Sequence, residues 1–288
     1  MTIYQILISD ETIPSIWCAI ELPEIEVVIL NFQSKNYTLP QFMQKMERLK
    51  VLIVTNYGYT LSRIDNLPLL GYLSSLRRIR LEHVSISSLG TSLMPMMHLR
   101  KISLFVCKIG DTLEKCTTKV GMFPSLVEIE IDYCDDLVQF PAGLCKYIST
   151  LEKISITNCN ELRSLPEEFG RLTNVEVLRL HSCIMLEELP ESIGNLHKLS
   201  ILDISDCIGL SKMPNRTREL CGLRKLHMRG CVGIHELPPS IEDLVGLEHV
   251  ICDEEIYHIW ISYEELAHVN IKVVRANINL NWLHNLGP

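Results

Sequence analysis

Apolar residues along this chain return as a phrase, with neither a helical period nor simple alternation. From residue 151 onward the phrase runs apolar, two variable, apolar, one variable, apolar, two variable, cysteine: Leu151, Ile154, Ile156, Cys159, then Val175, Leu178, Leu180, Cys183. Two further copies are Leu199, Leu202, Ile204, Cys207 and Leu223, Leu226, Met228, Cys231. A second block follows each cysteine, with Leu or Ile three positions on and then an apolar residue and Pro: Leu162 with Leu165-Pro166, Leu186 with Leu189-Pro190, Leu210 with Met213-Pro214, Ile234 with Leu237-Pro238. Cys107, Cys134, Cys159, Cys183, Cys207 and Cys231 are separated by 27, 25, 24, 24 and 24 residues, and a near-constant period of this size means a repeat architecture.

Counted by first apolar residue, the phrases begin at Ile25, Leu49, Leu76, Leu99, Leu126, Leu151, Val175, Leu199, Leu223 and Leu247, ten repeats of which the first four are less regular. Within each phrase the period of two sends the leucines inward and the residues between them outward, so each repeat supplies one strand. The Leu-Pro step ends the extended stretch, and segments such as 190 to 196 form a short helix or irregular turn on the convex side. No coil buries its leucines alone, so the array is the cooperative unit. This is the leucine-rich repeat signature, and it predicts an α/β repeat fold: a horseshoe solenoid with a parallel concave sheet of about ten strands and a C-terminal cap.

Boundaries are set by where the phrase fails. Residues 1–24 read as an N-terminal capping strand, at 3 to 8, with its connection; residues 25–252 are the repeats; residues 253–288 are a post-repeat cap. The cap is expected to hold a helix at 254 to 268, a strand at 271 to 275 and the closing Asn281-Trp282-Leu283. Residues 110 to 122 are an insertion within the fourth repeat.

Composition narrows the function. The chain has 288 residues, 47% hydrophobic and 22% charged, with 27 basic against 35 acidic residues and a net charge of −8, which argues against a nucleic-acid or anionic-membrane binder. No run approaches the roughly 18 apolar residues of a membrane helix, and the first 20 residues carry Asp10 and Glu11 in place of a basic leader, so a cytoplasmic location is expected, with Met1 consistent with the start of an excised fragment. The eleven cysteines contain no CxxC pair and no Cys/His cluster with zinc spacing. Six close a repeat phrase and are expected to form a reduced, buried ladder, with no metal. The sequons at Asn36 and Asn215 are read as chance.

Phosphate-binding, dinucleotide-binding, zinc-protease and serine-hydrolase motifs are absent, and no cofactor or catalytic residue is predicted. His181, Ser205, Asp203 and His227 do fall on adjacent strands. A triad also needs an oriented base, an oxyanion hole and a desolvated pocket, and polar residues occupy those positions in any soluble solenoid, so they are read as a polar face. A small-molecule pocket on that face is a lesser alternative. The face is better read as a charge map: Arg78, Arg80 and Glu82 in the third repeat, Glu128, Glu130 and Asp132 in the fifth, Arg179 in the seventh, Lys225, His227 and Arg229 in the ninth. Alternating stripes register a protein partner. Apolar residues there, Val27, Ile29, Phe32, Val51, Ile53, Phe105 and Val106, are candidate contact points.

The runs Phe123-Pro124-Ser125-Leu126, Ile131-Asp132-Tyr133-Cys134-Asp135-Asp136-Leu137, Ser155-Ile156-Thr157-Asn158-Cys159 and Leu202-Asp203-Ile204-Ser205-Asp206-Cys207 resemble the C-terminal repeats of plant intracellular nucleotide-binding leucine-rich-repeat immune receptors. More narrowly, the chain is similar to the helper class, whose N-terminal domain is a coiled coil of the powdery-mildew-resistance type; Tyr37 to Pro40, Asp253-Glu254-Glu255 and Asn279-Leu280-Asn281-Trp282 add to the match. The resemblance implies a component acting downstream of pathogen-sensing receptors. It also implies a protein partner, a lipase-like heterodimer with C-terminal helical domains, itself loaded with a nucleotide-derived small molecule. The full receptor then oligomerises at the plasma membrane into a calcium-permeable assembly. This chain would supply recognition and autoinhibition, without the pore or the nucleotide site. Tyr257, Trp260, Tyr263 and Trp282 carry two readings: they cover the hydrophobic end of the tenth coil as a cap, and, because aromatic residues with polar edges concentrate at interface hot spots, they join the basic stripe Lys225 to Arg229 as the expected docking surface. The alternative reading is a substrate-recruiting subunit of a ubiquitin ligase or another scaffold.

Overall fold

The fourth and sixth residues of every phrase point into one continuous core: Leu178 and Leu180, Leu202 and Ile204, Leu226 and Met228 are all fully buried. A computed structural model of the protein describes residues 3–8, 24–86, 95–110 and 123–274. Within them the strands β1 (Ile3–Ile8), β2 (Val27–Phe32), β4 (Val51–Asn56), β6 (Arg78–Glu82), β8 (Lys101–Phe105), β9 (Glu128–Asp132), β10 (Lys153–Thr157), β11 (Val177–Arg179), β12 (Ile201–Asp203), β13 (Lys225–His227), β14 (His249–Cys252) and β15 (Asn270–Val273) form one twelve-stranded sheet in that order. Every neighbouring pair is parallel and in repeat register, so Leu178 stands between Ile154 and Leu202, and Leu226 between Leu202 and Val250. The ten repeat phrases supply ten of these strands, with β1 and β15 adding one at each end.

On the convex side most coils turn through a short 3-10 helix, and proline places it. Pro166, Pro190, Pro214 and Pro238 sit extended with φ between −62° and −74° just before Glu167–Arg171, Glu191–Asn195, Asn215–Glu219 and Pro239–Asp243. The pyrrolidine ring sets that φ and ends the strand-like approach. One coil makes an α-helical turn instead, α1 (Ala142–Cys145) after Pro141. Coils stack so closely here that a Cβ on Gly194 would lie 2.5 Å from the Arg216 carbonyl oxygen.

Two features add to the expected horseshoe. The first three coils carry a second parallel sheet, β3 (Asn36–Thr38), β5 (Ser62–Asp65) and β7 (Val84–Ile86), built where Tyr37, Ile64, Val84 and Ile86 alternate into the core. The second feature lies at the exit of the concave strands. There the eighth residue of seven successive phrases is left-handed: His83, Val106, Tyr133, Asn158, Ser182, Asp206 and Gly230, with φ from 51° to 72°. Six of these residues donate their N–H to the carbonyl of the next coil's seventh residue, as Val106 does to Asp132 at 2.8 Å and Asn158 to His181 at 3.0 Å. The left-handed turn thus extends the coil-to-coil hydrogen bonding beyond the end of the strand.

The next residue is the repeating cysteine, and its thiol reaches the other way. Cys107, Cys134, Cys159, Cys183, Cys207 and Cys231 each donate to the carbonyl of the sixth residue of the preceding coil, from 2.8 Å for Cys207 to Leu180 up to 3.9 Å for Cys159 to Ile131. The nine cysteines among the described residues are free, and all but Cys221 are buried. Burial pushes the thiols of Cys159 and Cys231 up to about 12 and that of Cys183 up to about 11.

The cap departs from the expected helix at 254 to 268. Helix α2 (Glu254–Trp260) begins where the Asp253 carboxylate accepts the Ile256 N–H at 3.2 Å, and it stops at Ile261. The Ser262 hydroxyl donates to the Ile259 carbonyl at 2.6 Å, competing with continued helix. A separate 3-10 turn, Glu264–Leu266, then leads to β15. The expected insertion at 110 to 122 lies outside the described residues except for Gly110.

Candidate recognition face

The concave face is made of the residues between the core leucines. In parallel register the fifth phrase position forms one row across the sheet: Arg80, Ser103, Glu130, Ser155, Arg179, Asp203, His227 and Ile251. Arg179 and Asp203 are neighbours in it, as are Asp203 and His227, whose Nδ1 lies 3.7 Å from the Asp203 carboxylate. Lys225 and Arg229 are exposed beside them. Arg78 and Arg80, also exposed, stand six strands away, about 29 Å at ~4.8 Å per strand, so the two basic groups form separate sites.

The serine, histidine and aspartate do converge, without forming a triad. Asp203 Oδ1 accepts the backbone N–H of Ser205 at 3.1 Å, which makes it a turn cap. His181 lies instead 3.7 Å from the Asp206 carboxylate on the next coil. Among the described residues no hydrogen bond joins the Ser205 hydroxyl to either imidazole, and the Asp203, Ser205 and His227 set is an open polar surface.

Charge is locally organised in the middle coils. Lys101 Nζ donates to Glu128 at 3.1 Å and Glu130 at 2.7 Å, and Ser103 donates to Glu130 at 2.8 Å. Burial favours a raised Glu130 pKa, but the bonds from Lys101 and Ser103 outweigh it and hold the carboxyl below its ordinary value. Arg80 reaches Glu82 at 3.2 Å and lays its guanidinium 4.2 Å over the Phe105 ring, a cation–π contact.

Several expected contact residues are placed differently. Trp260 is 1% exposed and donates its indole N–H to the Met228 sulfur at 3.2 Å. It is a core residue of the cap and not a docking aromatic, because it plugs the open end of the leucine core. Tyr257 is half-buried against the same core, and Tyr263 gives its hydroxyl to the Leu237 carbonyl at 2.8 Å. Trp282 lies outside the described residues. Val27 and Phe32 are buried, Val27 on the strand face opposite Val28 and Leu30, and Phe32 on the core side, where it stacks on Tyr37 with ring centroids 4.1 Å apart. Ile29, Val51, Ile53 and Phe105 are half-buried, whereas Val106 is 43% exposed.

Among the described residues no helix is long and apolar enough to cross a membrane, and no cluster of His, Cys, Asp and Glu could hold a metal ion. No protein-family profile matches the chain. It is 39% identical over 162 residues to a probable disease resistance protein of Arabidopsis thaliana, covering 56% of this chain and 39% of that protein. It is 37% identical over 161 residues to the disease resistance protein ADR1 of the same plant, covering 56% and 20%. A third Arabidopsis disease resistance protein matches at 40% identity over 130 residues, 45% of this chain and 16% of its own length. The chain thus spans two fifths or less of the curated relatives it matches. Of solved structures, the leucine-rich repeat domain of the type III effector XopL superposes with a TM-score of 0.59 at 19% identity, covering 84% of this chain and 75% of that domain, a likeness of fold alone. Fold and relatives meet in one statement: this chain is a leucine-rich repeat solenoid similar, over about half of its length, to plant disease resistance proteins.

Proposed function

We propose that the chain is the partner-recognition and autoinhibition module of a cytoplasmic plant helper immune receptor, and that its partner is a lipase-like heterodimer with C-terminal helical domains. The observation that carries the reading is the likeness to disease resistance proteins in a fold whose phrase leucines, such as Leu178, Leu202 and Leu226, are committed to the core while Arg179, Lys225 and Arg229 stand exposed on the concave face. Binding there would release the receptor to oligomerise and signal defence and cell death. With Trp260 in the core, the docking surface of this reading is the concave stripe, with the half-buried Tyr257 of the cap as a remaining described aromatic candidate.

The test is a binding titration of the heterodimer against the parent chain and Lys225→Glu and Arg229→Glu variants of unchanged melting temperature. A hot-spot residue loses about 2 kcal/mol or more, roughly thirtyfold in affinity. Unchanged affinity in both variants removes the ninth coil as the docking site and leaves Arg78 and Arg80. Recovery of ligase subunits in place of the heterodimer from plant tissue removes the immune-receptor reading itself.

A further inference from the structure

The edge of the main sheet where strands begin holds a second row of side chains. The second phrase residue of each coil donates its N–H to its counterpart one coil back: Arg77 to Lys50, Arg100 to Arg77, Val127 to Arg100, Glu152 to Val127 and Glu176 to Glu152, at 2.7 to 2.9 Å. The side chains therefore stand in file, ~4.8 Å apart. Near both ends of the array this edge matches opposite charges, Lys50 with Glu26 and Arg48 with Glu24 at one end, Arg224 with Glu248 at 3.3 Å at the other.

Arg77 and Arg100 break the pattern. They are adjacent in the file and exposed, and among the described residues neither has a carboxylate partner. Arg78, the next residue along the chain, is paired across the sheet with Lys101. Like charges on adjacent strands destabilise a sheet, and a chain with 35 acidic residues has no shortage of partners to place there. Beyond Arg100 the file continues through Val127 to Glu152 and Glu176, all lining one groove of about 570 Å³. Lys198 at its far end is held by Asn174, to whose Oδ1 it donates at 2.7 Å. The groove thus runs from the cationic pair Arg77 and Arg100, past Val127, to the carboxylates of Glu152 and Glu176, with the Lys198 ammonium beyond them.

We propose that this groove docks an extended segment of a protein partner whose charges run the opposite way, with acidic residues over Arg77 and Arg100, an apolar residue over Val127 and a basic residue over Glu152 and Glu176. The two charged ends are three coils apart, about 14 Å, which an extended peptide spans in about four residues. A nucleic acid or a uniformly acidic tail meets repulsion at Glu152 and Glu176. The inference stands apart from the heterodimer reading, because the groove lies on the strand-entry edge and not on the ninth coil or the cap, and each can fail alone.

The experiment uses three glycine-flanked hexapeptides titrated into the whole chain at low ionic strength, up to millimolar concentration, with amide shifts followed by NMR. One is Asp-Glu-Leu-Ala-Lys-Lys, one has the same residues with the charges alternated, and one is acidic throughout. The segregated peptide is expected to shift the amides of Arg77, Arg100 and Glu152 and to bind about tenfold tighter than the other two. The Arg77→Glu/Arg100→Glu variant, shown to melt like the parent, loses that binding. Adding Glu152→Lys and Glu176→Lys restores it, because the peptide can lie the other way round. Equal binding of the three peptides, retained binding by the double variant, or no shift along the entry edge overturns the proposal.

Discussion

Val106 donates its backbone N–H to the Asp132 carbonyl at 2.8 Å while holding a φ of 51°. Left-handed backbone costs a β-branched residue about 1–2 kcal/mol, and Val106 is 43% exposed, so packing offsets little of it. Asn158 fills the same place in its coil at a φ of 52°. The Val106→Asn variant should therefore be more stable by about 1 kcal/mol, seen as a higher denaturation midpoint at unchanged slope. A lower midpoint would mean that the valine side chain contributes packing that outweighs its strain.

The thiol ladder makes stability depend on alkali. Burial pushes Cys145 and Cys159 up to about 12, Cys183 up to about 11 and Cys231 up to about 12, above the roughly 8.5 of an exposed thiol. The folded chain keeps these protons where the unfolded chain releases them. Their stabilisation is complete below about pH 8.5 and declines as pH rises, by about 1.4 kcal/mol per unit for each thiol, until the folded thiols themselves ionise. Urea midpoints should fall steeply from about pH 9 to about pH 11, and less steeply once Cys159 and Cys183 are replaced by alanine. A flat profile contradicts the burial of the ladder.

Accessibility of the same groups is a separate measurement. Cys221 is exposed, whereas the six ladder cysteines, Cys145 and Cys252 are buried. Brief alkylation of the native chain followed by peptide mapping should label Cys221 ahead of those eight. In denaturant without reductant, eleven free thiols are expected, one for each cysteine of the sequence. Recovery of only a few is the outcome that removes the reduced-ladder reading.

Stacking on the convex side predicts a cost at a small residue. A methyl group on Gly194 meets the Arg216 carbonyl at 2.5 Å, and a backbone atom cannot rotate away. The Gly194→Ala variant should lose roughly 1–3 kcal/mol despite alanine's better helix propensity. Gly246, whose added Cβ would stand 3.0 Å from the nearest atom, should tolerate alanine better.

The parallel sheet was legible because its cause is periodic: Leu178 and Leu202 repeat at 24 residues and land side by side in the ladder. Cys159 and Cys183 were equally legible as inward-facing, since their spacing matches that of the leucines. The left-handed row was not. Its residues run His83, Val106, Tyr133, Asn158, Ser182, Asp206, Gly230, and the backbone bond to the next coil imposes the conformation whatever the side chain. The phrase could have located it, one place before each repeat cysteine. Trp260 was legible as a cap residue but not as that alone: a tryptophan that plugs a core and one that meets a partner give the same signal after the last repeat, and its burial with the Met228 contact decides for the core. Arg77 and Arg100 lay in plain view at the second phrase position, but their lack of acidic neighbours is a property of lateral stacking that the linear order does not display.

The thiols that knit one coil to the one before it also decide whether the array can close again once it has opened. Closed, they are shielded from solvent; opened, their acidity returns to that of a free cysteine and thiolates appear at intervals of 24 to 27 residues along a flexible chain. An oxidant that leaves the buried ladder of the native protein untouched can then cross-link coils out of order, and refolding is lost. Survival of a heat pulse should thus be governed by the redox state of the surroundings during the seconds of exposure, turning a reversible transition into an irreversible one without any change in native stability.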